Sequence, residues 1–205
     1  MIGLFWNIRG LGKIGRHPAL VERIKNTRAD VVGITETKKE SFTPRYLKSL
    51  TGPVPFEWFV LPAKRSAGGN LVGCNKEKFS ASVCSSLDFT ISIMIQDKKS
   101  GFIWKLVVVY GSPYEEGKEA FIQELHSIMQ SWNGPVLLGA DFNLVRFATD
   151  EINGNINYKW ADLFNDWIHK WALVELSAKN MKFTWTNNQV NPIMAKIDRI
   201  FVTND

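Results

Sequence analysis

The sequence has no apolar run long enough to cross a bilayer, two cysteines, three histidines and no block of like charge in 205 residues. The first absence excludes a helical membrane span. Cys74 and Cys84 are too few for a disulfide framework or a zinc site, so an intracellular, reducing compartment is the simplest expectation. Residues 1–6 carry neither a basic lead nor a small-residue cleavage site and do not read as a signal peptide. The basic pairs Lys38-Lys39 and Lys98-Lys99 are too short to be nucleic-acid arms. Twenty-five Lys and Arg against twenty Asp and Glu leave +5, a mild lean toward polyanions. There is no internal repeat and no low-complexity segment.

What is present is apolar and aromatic. The apolar fraction of 45% suffices for one large domain, and thirteen Phe and eight Trp make much of its core aromatic. Residues 1–6 form a short apolar strand closed by Asn7 and the loop Arg9-Gly10-Leu11-Gly12. Leu20, Val21 and Ile24 recur at helical spacing over 18–26, and the next strand, 30–34, delivers Thr35-Glu36-Thr37 at its end. Such a β-α-β unit puts both strand tips at the same sheet edge. Strands are expected at 56–61, 70–74, 89–96 and 102–110, the last two as a hairpin. A helix is expected over 115–132, with acids in its first turns, and a second over 159–171. A polar loop covers 149–158, and strands at 183–187 and 196–202 follow. Strands outnumber helices about two to one, which suits two sheets packed face to face with helices outside.

The stretch Gly134-Pro135-Val136-Leu137-Leu138-Gly139-Ala140-Asp141-Phe142-Asn143 is a short apolar run bounded by turn residues, the pattern of a buried strand. Its tip presents an acid and an amide, where sheets of this kind bind ligands. The plainer reading is a strand followed by an Asx turn. Asn7, Glu36, Tyr110, Asp141, Asn143 and Asp198 all fall at strand ends. Hard carboxylate and amide oxygens without Cys or His suit magnesium or manganese, which acts as a Lewis acid on phosphoryl oxygens.

Six motifs then occur in order: Trp6-Asn7-Ile8-Arg9-Gly10-Leu11, Thr35-Glu36-Thr37-Lys38, Val109-Tyr110-Gly111-Ser112-Pro113, Gly139-Ala140-Asp141-Phe142-Asn143, Phe183-Thr184-Trp185-Thr186-Asn187 and Ile197-Asp198-Arg199. Over essentially the whole chain this resembles the endonuclease/exonuclease/phosphatase superfamily, specifically the apurinic-endonuclease-like domain of plant LINE-type retrotransposons. The resemblance implies a four-layer α/β/β/α sandwich of two packed mixed sheets flanked by helices. It implies one domain over 1–205 whose last strand is missing. It further implies a metal-dependent phosphodiesterase acting on DNA, with Mg2+ or Mn2+ as cofactor, no membrane or stable protein partner, and a nuclear location.

Residue by residue, the resemblance implies that Asn7 and Glu36 hold the metal and that Tyr110 hydrogen-bonds the scissile phosphate. Asp141 would align or deprotonate the attacking water, Asn143 would bind a non-bridging oxygen, and Asp198 would hold a histidine in its tautomer. The family's Ser-Asp-His segment has no counterpart before Asp205, and His17, His126 and His169 read as surface or packing residues. The alternatives are an impaired remnant acting as a binding module, and a phosphatase on a small phosphorylated substrate. Two further departures stand out. Ala140 is slotted before the acid, which calls for a bulge or a register adjustment. Pro113 stands where relatives can carry Asn, which removes one phosphate contact.

Overall fold

Alternating apolar strands must bury one face, and here two sheets bury theirs against each other. The computed structural model describes residues 1–64, 68–177 and 181–204. The first sheet is made by β1 (Gly3–Asn7), β2 (Val31–Thr35), β3 (Phe56–Leu61) and β4 (Asn70–Asn75), in the order β1-β2-β4-β3. Helices α1 (Arg16–Thr27) and α2 (Pro44–Thr51) belong to this half. The second half contains β5 (Phe79–Ser86), β6 (Thr90–Asp97), β7 (Ile103–Tyr110), α3 (Lys118–Gln130), β8 (Val136–Asp141), β9 (Glu151–Ile152), α4 (Tyr158–Lys170), β10 (Val174–Glu175), β11 (Trp185–Thr186), β12 (Met194–Ala195) and β13 (Asp198–Val202). Its main sheet runs β10-β13-β8-β7-β6-β5, and β11-β12-β9 form a small separate sheet.

Three apolar clusters give the layers. Val32, Ile34 and Leu71 of the first sheet pack with Leu20 and Ile24 of α1 and Leu50 of α2. Val72, Ile91, Ile93, Leu106 and Val108 fill the space between the sheets. Val107, Val109, Leu138 and Phe201 pack with Phe121 and Leu125 of α3 and Phe164 and Trp167 of α4. This is the expected sandwich, helices outside and two mixed sheets within. Phe142, Phe164, Trp167 and Phe201 form one aromatic nest, with Phe142 edge-on to Phe201 and Phe164 stacked on Trp167. Burying each such ring is worth about 1.5–3 kcal/mol.

One ring ties the two sheets together. Phe5 of β1 lies against Gly33 of β2 and Gly139 of β8. A Cβ on Gly33 would sit 2.7 Å from the Phe5 ring, and one on Gly139 2.9 Å away. Both glycines are there because nothing larger fits.

Some expectations change in the structure. The helix expected over 115–132 is interrupted at its start: Glu115–Gly117 is a 3-10 turn and α3 begins at Lys118. Gly117 is a poor helix former, and a Cβ there would collide with the Ser112 hydroxyl. The strand expected over 183–187 pairs only at Trp185–Thr186, and the polar loop over 149–158 contains the pairing strand β9. Helix α2, and strands β5, β10 and β12, were not anticipated. Helix α2 is started by Thr43, whose hydroxyl accepts from the Tyr46 amide at 3.2 Å, with Pro44 at the first helical position.

The adjustment demanded by Ala140 occurs in the backbone dihedrals. β8 pairs with β7 and β13 without a register shift, and Ala140 itself takes a φ of 106°.

Candidate active site

Strand register collects the site. Asp141 is the Cα partner of Tyr110 across the parallel β7–β8 pair and of Asp198 across the antiparallel β8–β13 pair. Three functional groups therefore stand in one row at the tip of the second sheet. On the first sheet, Asn7 pairs with Thr35 at the parallel tip of β1 and β2, and Glu36 follows directly. All six residues anticipated from the sequence thus gather at one end of the sandwich.

The two sheets are joined there by a hydrogen bond. Asn7 Nδ2 donates to Asp141 Oδ2 at 2.6 Å, while the other carboxylate oxygen accepts from the Asn143 amide at 2.9 Å. Asn7 Oδ1 in turn accepts from the Arg9 amide at 3.1 Å. Asn143 Nδ2 donates one hydrogen to the Gly111 carbonyl at 2.9 Å, which leaves its second hydrogen and its oxygen unused among the described residues. The Asx turn at Asp141 is present and does not compete with the site reading, since the turn orients one carboxylate oxygen.

The backbone around these groups is strained. Arg9, Glu36, Lys38, Ala140 and Asn143 all carry positive φ, between 50° and 106°. Each such residue costs on the order of 1–3 kcal/mol and persists only where surrounding structure enforces it, a condition that clusters at functional sites. Here the enforcement is visible. Ile8, Gly10 and Leu11 donate backbone hydrogen bonds to the carbonyls of Thr35, Glu36 and Thr37, and Thr37 and Lys38 donate to Gly69 and Gly68.

The electrostatics are those of crowded acids in a dry site. Burial, reinforced by the charge of Asp198, pushes Asp141 up to about 7, against the opposing hydrogen bonds from Asn7 and Asn143. Burial also raises Asp198, opposed by the Thr184 hydroxyl and by the positive charge of Arg9. Burial, then the charges of Glu36 and Asp141, raise the Tyr110 phenol, which therefore stays protonated. The site has a standing deficit of positive charge.

That deficit is what a divalent cation would fill. Among the described residues Glu36 offers a carboxylate tied only to Lys38 Nζ at 3.0 Å, and Asn7 Oδ1 keeps a second lone pair beside the one used by Arg9. Among the described residues no group of three or more His, Cys, Asp or Glu forms a closed cage. Magnesium needs none, since it takes one or two carboxylates and completes its shell with water and substrate phosphate. The donor set fits magnesium or manganese.

A groove of about 610 Å3 is lined by Asn7, Arg9, Asp141, Thr184, Trp185 and Asp198, together with the apolar Leu4, Phe5 and Trp6 of β1 and Arg16 and Arg23 of α1, whereas Tyr110 lines a separate cavity and Glu36 and Asn143 line neither. Sequence reasoning singled out neither Arg9, Thr184 nor Lys118. Thr184 Oγ1 accepts from the amides of Ile197 and Asp198 at 3.1 and 3.0 Å and so fixes the start of β13. Lys118 Nζ lies 3.4 Å from the Asn143 carbonyl. The conspicuous signal for Arg9 and Thr184 was their place within motifs already noted; for Lys118 there was none.

The histidines lie elsewhere. His17 Nε2 is 2.8 Å from Ser49 Oγ and its ring packs on Tyr46. His126 Nδ1 accepts from the Trp171 indole at 3.2 Å, and His169 is exposed on α4. None of them lines the groove.

The Endonuclease/Exonuclease/phosphatase family profile matches residues 4–205. A comparison with curated protein sequences finds no match. Among solved structures, the chain is similar to the AP endonuclease of Leishmania major, with a TM-score of 0.77 at 12% identity, covering 98% of this chain and 78% of that one. It is similar to the endonuclease domain of TRAS1, a telomere-specific non-LTR retrotransposon, with a TM-score of 0.74 at 13% identity over 99% of this chain and 85% of that one. It is also similar to a 3′ phosphatase from Neisseria bound to a product DNA hairpin, with a TM-score of 0.72 at 14% identity over 98% and 86%. At these identities the likeness establishes the shared fold.

Proposed function

The chain belongs to the endonuclease/exonuclease/phosphatase family, and from that premise we propose that it is a metal-dependent phosphodiesterase of retrotransposon origin that nicks DNA. The observation that carries this reading is the Asn7–Asp141 hydrogen bond at 2.6 Å, joining two sheets at a row of acids and amides suited to phosphoryl chemistry. The DNA hairpin bound by the Neisseria relative and the retrotransposon source of another support DNA as the substrate. A nuclear location accompanies that reading.

In this reading Glu36 and Asn7 Oδ1 hold magnesium or manganese, which supplies Lewis-acid polarisation of a phosphoryl oxygen. Asp141 accepts a proton from the attacking water. The N–H groups of Asn7 and Asn143 fix its two oxygens, so its direction is set before substrate arrives. The water oxygen bonds to phosphorus, the bond from phosphorus to the departing sugar oxygen breaks, and that oxygen takes a proton from solvent water to leave as a hydroxyl. The unused hydrogen of Asn143 Nδ2 donates to a non-bridging oxygen, and the protonated Tyr110 phenol donates to the same phosphate. Asp198, whose implied role is to hold a histidine in its tautomer, lines the groove with Asp141 and raises that carboxyl by its charge, and no histidine of this chain sits beside it.

The test is nicking of supercoiled plasmid in magnesium by the purified chain. Wild type should convert plasmid to open circles, and Glu36→Gln and Asp141→Asn should each slow this at least about a hundredfold. Cleavage that survives both substitutions overturns the reading. A second reading, a DNA-binding module without turnover, is favoured by Arg9, Arg16 and Arg23 along the groove. It predicts plasmid retained but never nicked, whatever stands at position 36.

A further inference from the structure

Arg9 is a cation at the strand tips, opposite in charge to the acids around it, as Lys38 is. It follows Asn7 by two positions and is the outward member of a turn whose other residues, Ile8, Gly10 and Leu11, are buried. The turn is pinned from both sides. Arg9 donates its amide to Asn7 Oδ1, and Gly10 and Leu11 donate theirs to the carbonyls of Glu36 and Thr37 at 2.8 and 3.0 Å. Arg9 itself is held at a φ of 52°. That conformation costs an arginine energy and is kept by the pinned turn, which fixes where the side chain leaves the backbone.

Its guanidinium carbon lies 5.9 Å over the Trp185 ring, and Arg9 and Trp185 line the same groove as Asp141 and Asp198. Among the described residues no carboxylate comes within ion-pair distance of Arg9, whereas Lys38 is committed to Glu36. Arg9 is close enough to Asp198 for its charge to favour the ionised carboxyl. Here, then, is a cation beside crowded acids, braced on an aromatic face, with its donors uncommitted to any carboxylate.

We propose that Arg9 is a catalytic residue whose guanidinium grips the non-bridging oxygens of the phosphate under attack. This rests on the phosphodiesterase reading. A diester phosphate brings a further negative charge to a site already holding Glu36, Asp141 and Asp198. Two parallel N–H donors of a guanidinium match two phosphate oxygens in a way a lysine cannot. They meet the charge that grows on those oxygens in the transition state, and the fixed turn means little reorganisation at that moment. Trp185, its ring centroid 5.9 Å from the guanidinium carbon, presents its face to the charge. The step moves no proton through Arg9: water still yields its proton to Asp141, and the sugar oxygen still departs.

The competing role is a groove cation that merely attracts DNA, and two measurements separate the two. The first uses bis(4-nitrophenyl) phosphate, a diester too small to span the groove, with magnesium. Arg9→Ala should lower kcat about a hundredfold or more, with KM within about threefold. Arg9→Lys should restore part of the loss, and Lys99→Ala, a charge-matched change on the exposed β6–β7 turn, should do nothing. Intact kcat in Arg9→Ala, with only plasmid binding weakened, overturns the proposal. The second is calorimetric titration of inorganic phosphate into each variant in magnesium. Wild type should bind, and Arg9→Ala should bind at least about tenfold more weakly. Equal binding by Arg9→Ala, or no binding by wild type, overturns it. If Glu36→Gln abolishes nicking while Arg9→Ala changes neither readout, this inference falls and the proposed function stands. If phosphate affinity depends on Arg9 but no diester is cleaved, the phosphodiesterase reading falls and the catalytic role of Arg9 falls with it.

Discussion

Asp141 and Asp198 stand opposite one another, Cα to Cα, on adjacent antiparallel strands, and both carboxyls are raised above the ordinary range. Two buried acids in register across a sheet are a poor arrangement for stability, since like charges directly opposite repel. Their presence together is best explained by what the pair does.

Asp141→Asn should therefore abolish nicking and make the metal-free protein more stable. The gain expected is on the order of 1–2 kcal/mol, a rise of several degrees in Tm. Scanning calorimetry in chelator compares the two proteins directly. A variant that melts lower than wild type would show that the Asn7 and Asn143 hydrogen bonds outweigh the repulsion.

Ala140→Gly should also stabilise. A φ of 106° is open to glycine and strained for alanine. Relief of roughly 1–3 kcal/mol is partly offset by about 0.4–1 kcal/mol of extra freedom in the unfolded chain. Denaturant midpoints of Ala140→Gly and wild type measure the difference, and an unchanged or lower midpoint counts against strain at this position.

Gly139→Ala should cost about 1–3 kcal/mol, because the added methyl meets the Phe5 ring between two packed sheets. Shrinking the ring in the double variant Phe5→Leu with Gly139→Ala should recover part of that loss. A double-mutant cycle by chemical denaturation gives the coupling, and purely additive costs would mean the ring is not what opposes the methyl.

Glu175 gives the clearest pH dependence of stability. Burial works to raise its carboxyl, but Lys196, Arg199 and Arg146 together hold it below the usual range. Arg146 Nη1 lies 2.6 Å away, and Arg199, whose side chain is 1% exposed, 2.8 Å away. A depressed carboxylate contributes stability that is fully present above its unfolded pKa and fades as pH falls through the lower folded value. Glu175→Gln should thus cost about 2–3 kcal/mol at pH 7, discounted from a fully buried pair for its part exposure. The gap to wild type should narrow below pH 4 in thermal melts, and a gap that persists undiminished contradicts the ion-pair account.

The sandwich was legible because its central strands β2, β4 and β7 are mainly apolar runs, with polar residues only at strand ends and at Lys105. Strand β5 was not, since Phe79–Ser86 is an edge strand rich in serine with most of its residues exposed, and nothing in such a pattern distinguishes a strand from a loop. β9, β10 and β12 are two residues long, shorter than any periodicity can reveal. The site was legible as residue types at strand ends. What joins them was not: that Asn7 reaches Asp141 across 134 positions, or that Arg9 lies over Trp185, depends on how the two sheets are stacked.

That stacking gives Phe5 a consequence beyond packing. Glu36 rides on one sheet and Asp141 on the other, so the spacing between the two acids is set by how the sheets stack. The spacer is a single ring wedged between Gly33 and Gly139, and the same ring lines the groove beside Asp141. Thinning or thickening it should therefore move the two acids relative to one another as well as change the packing.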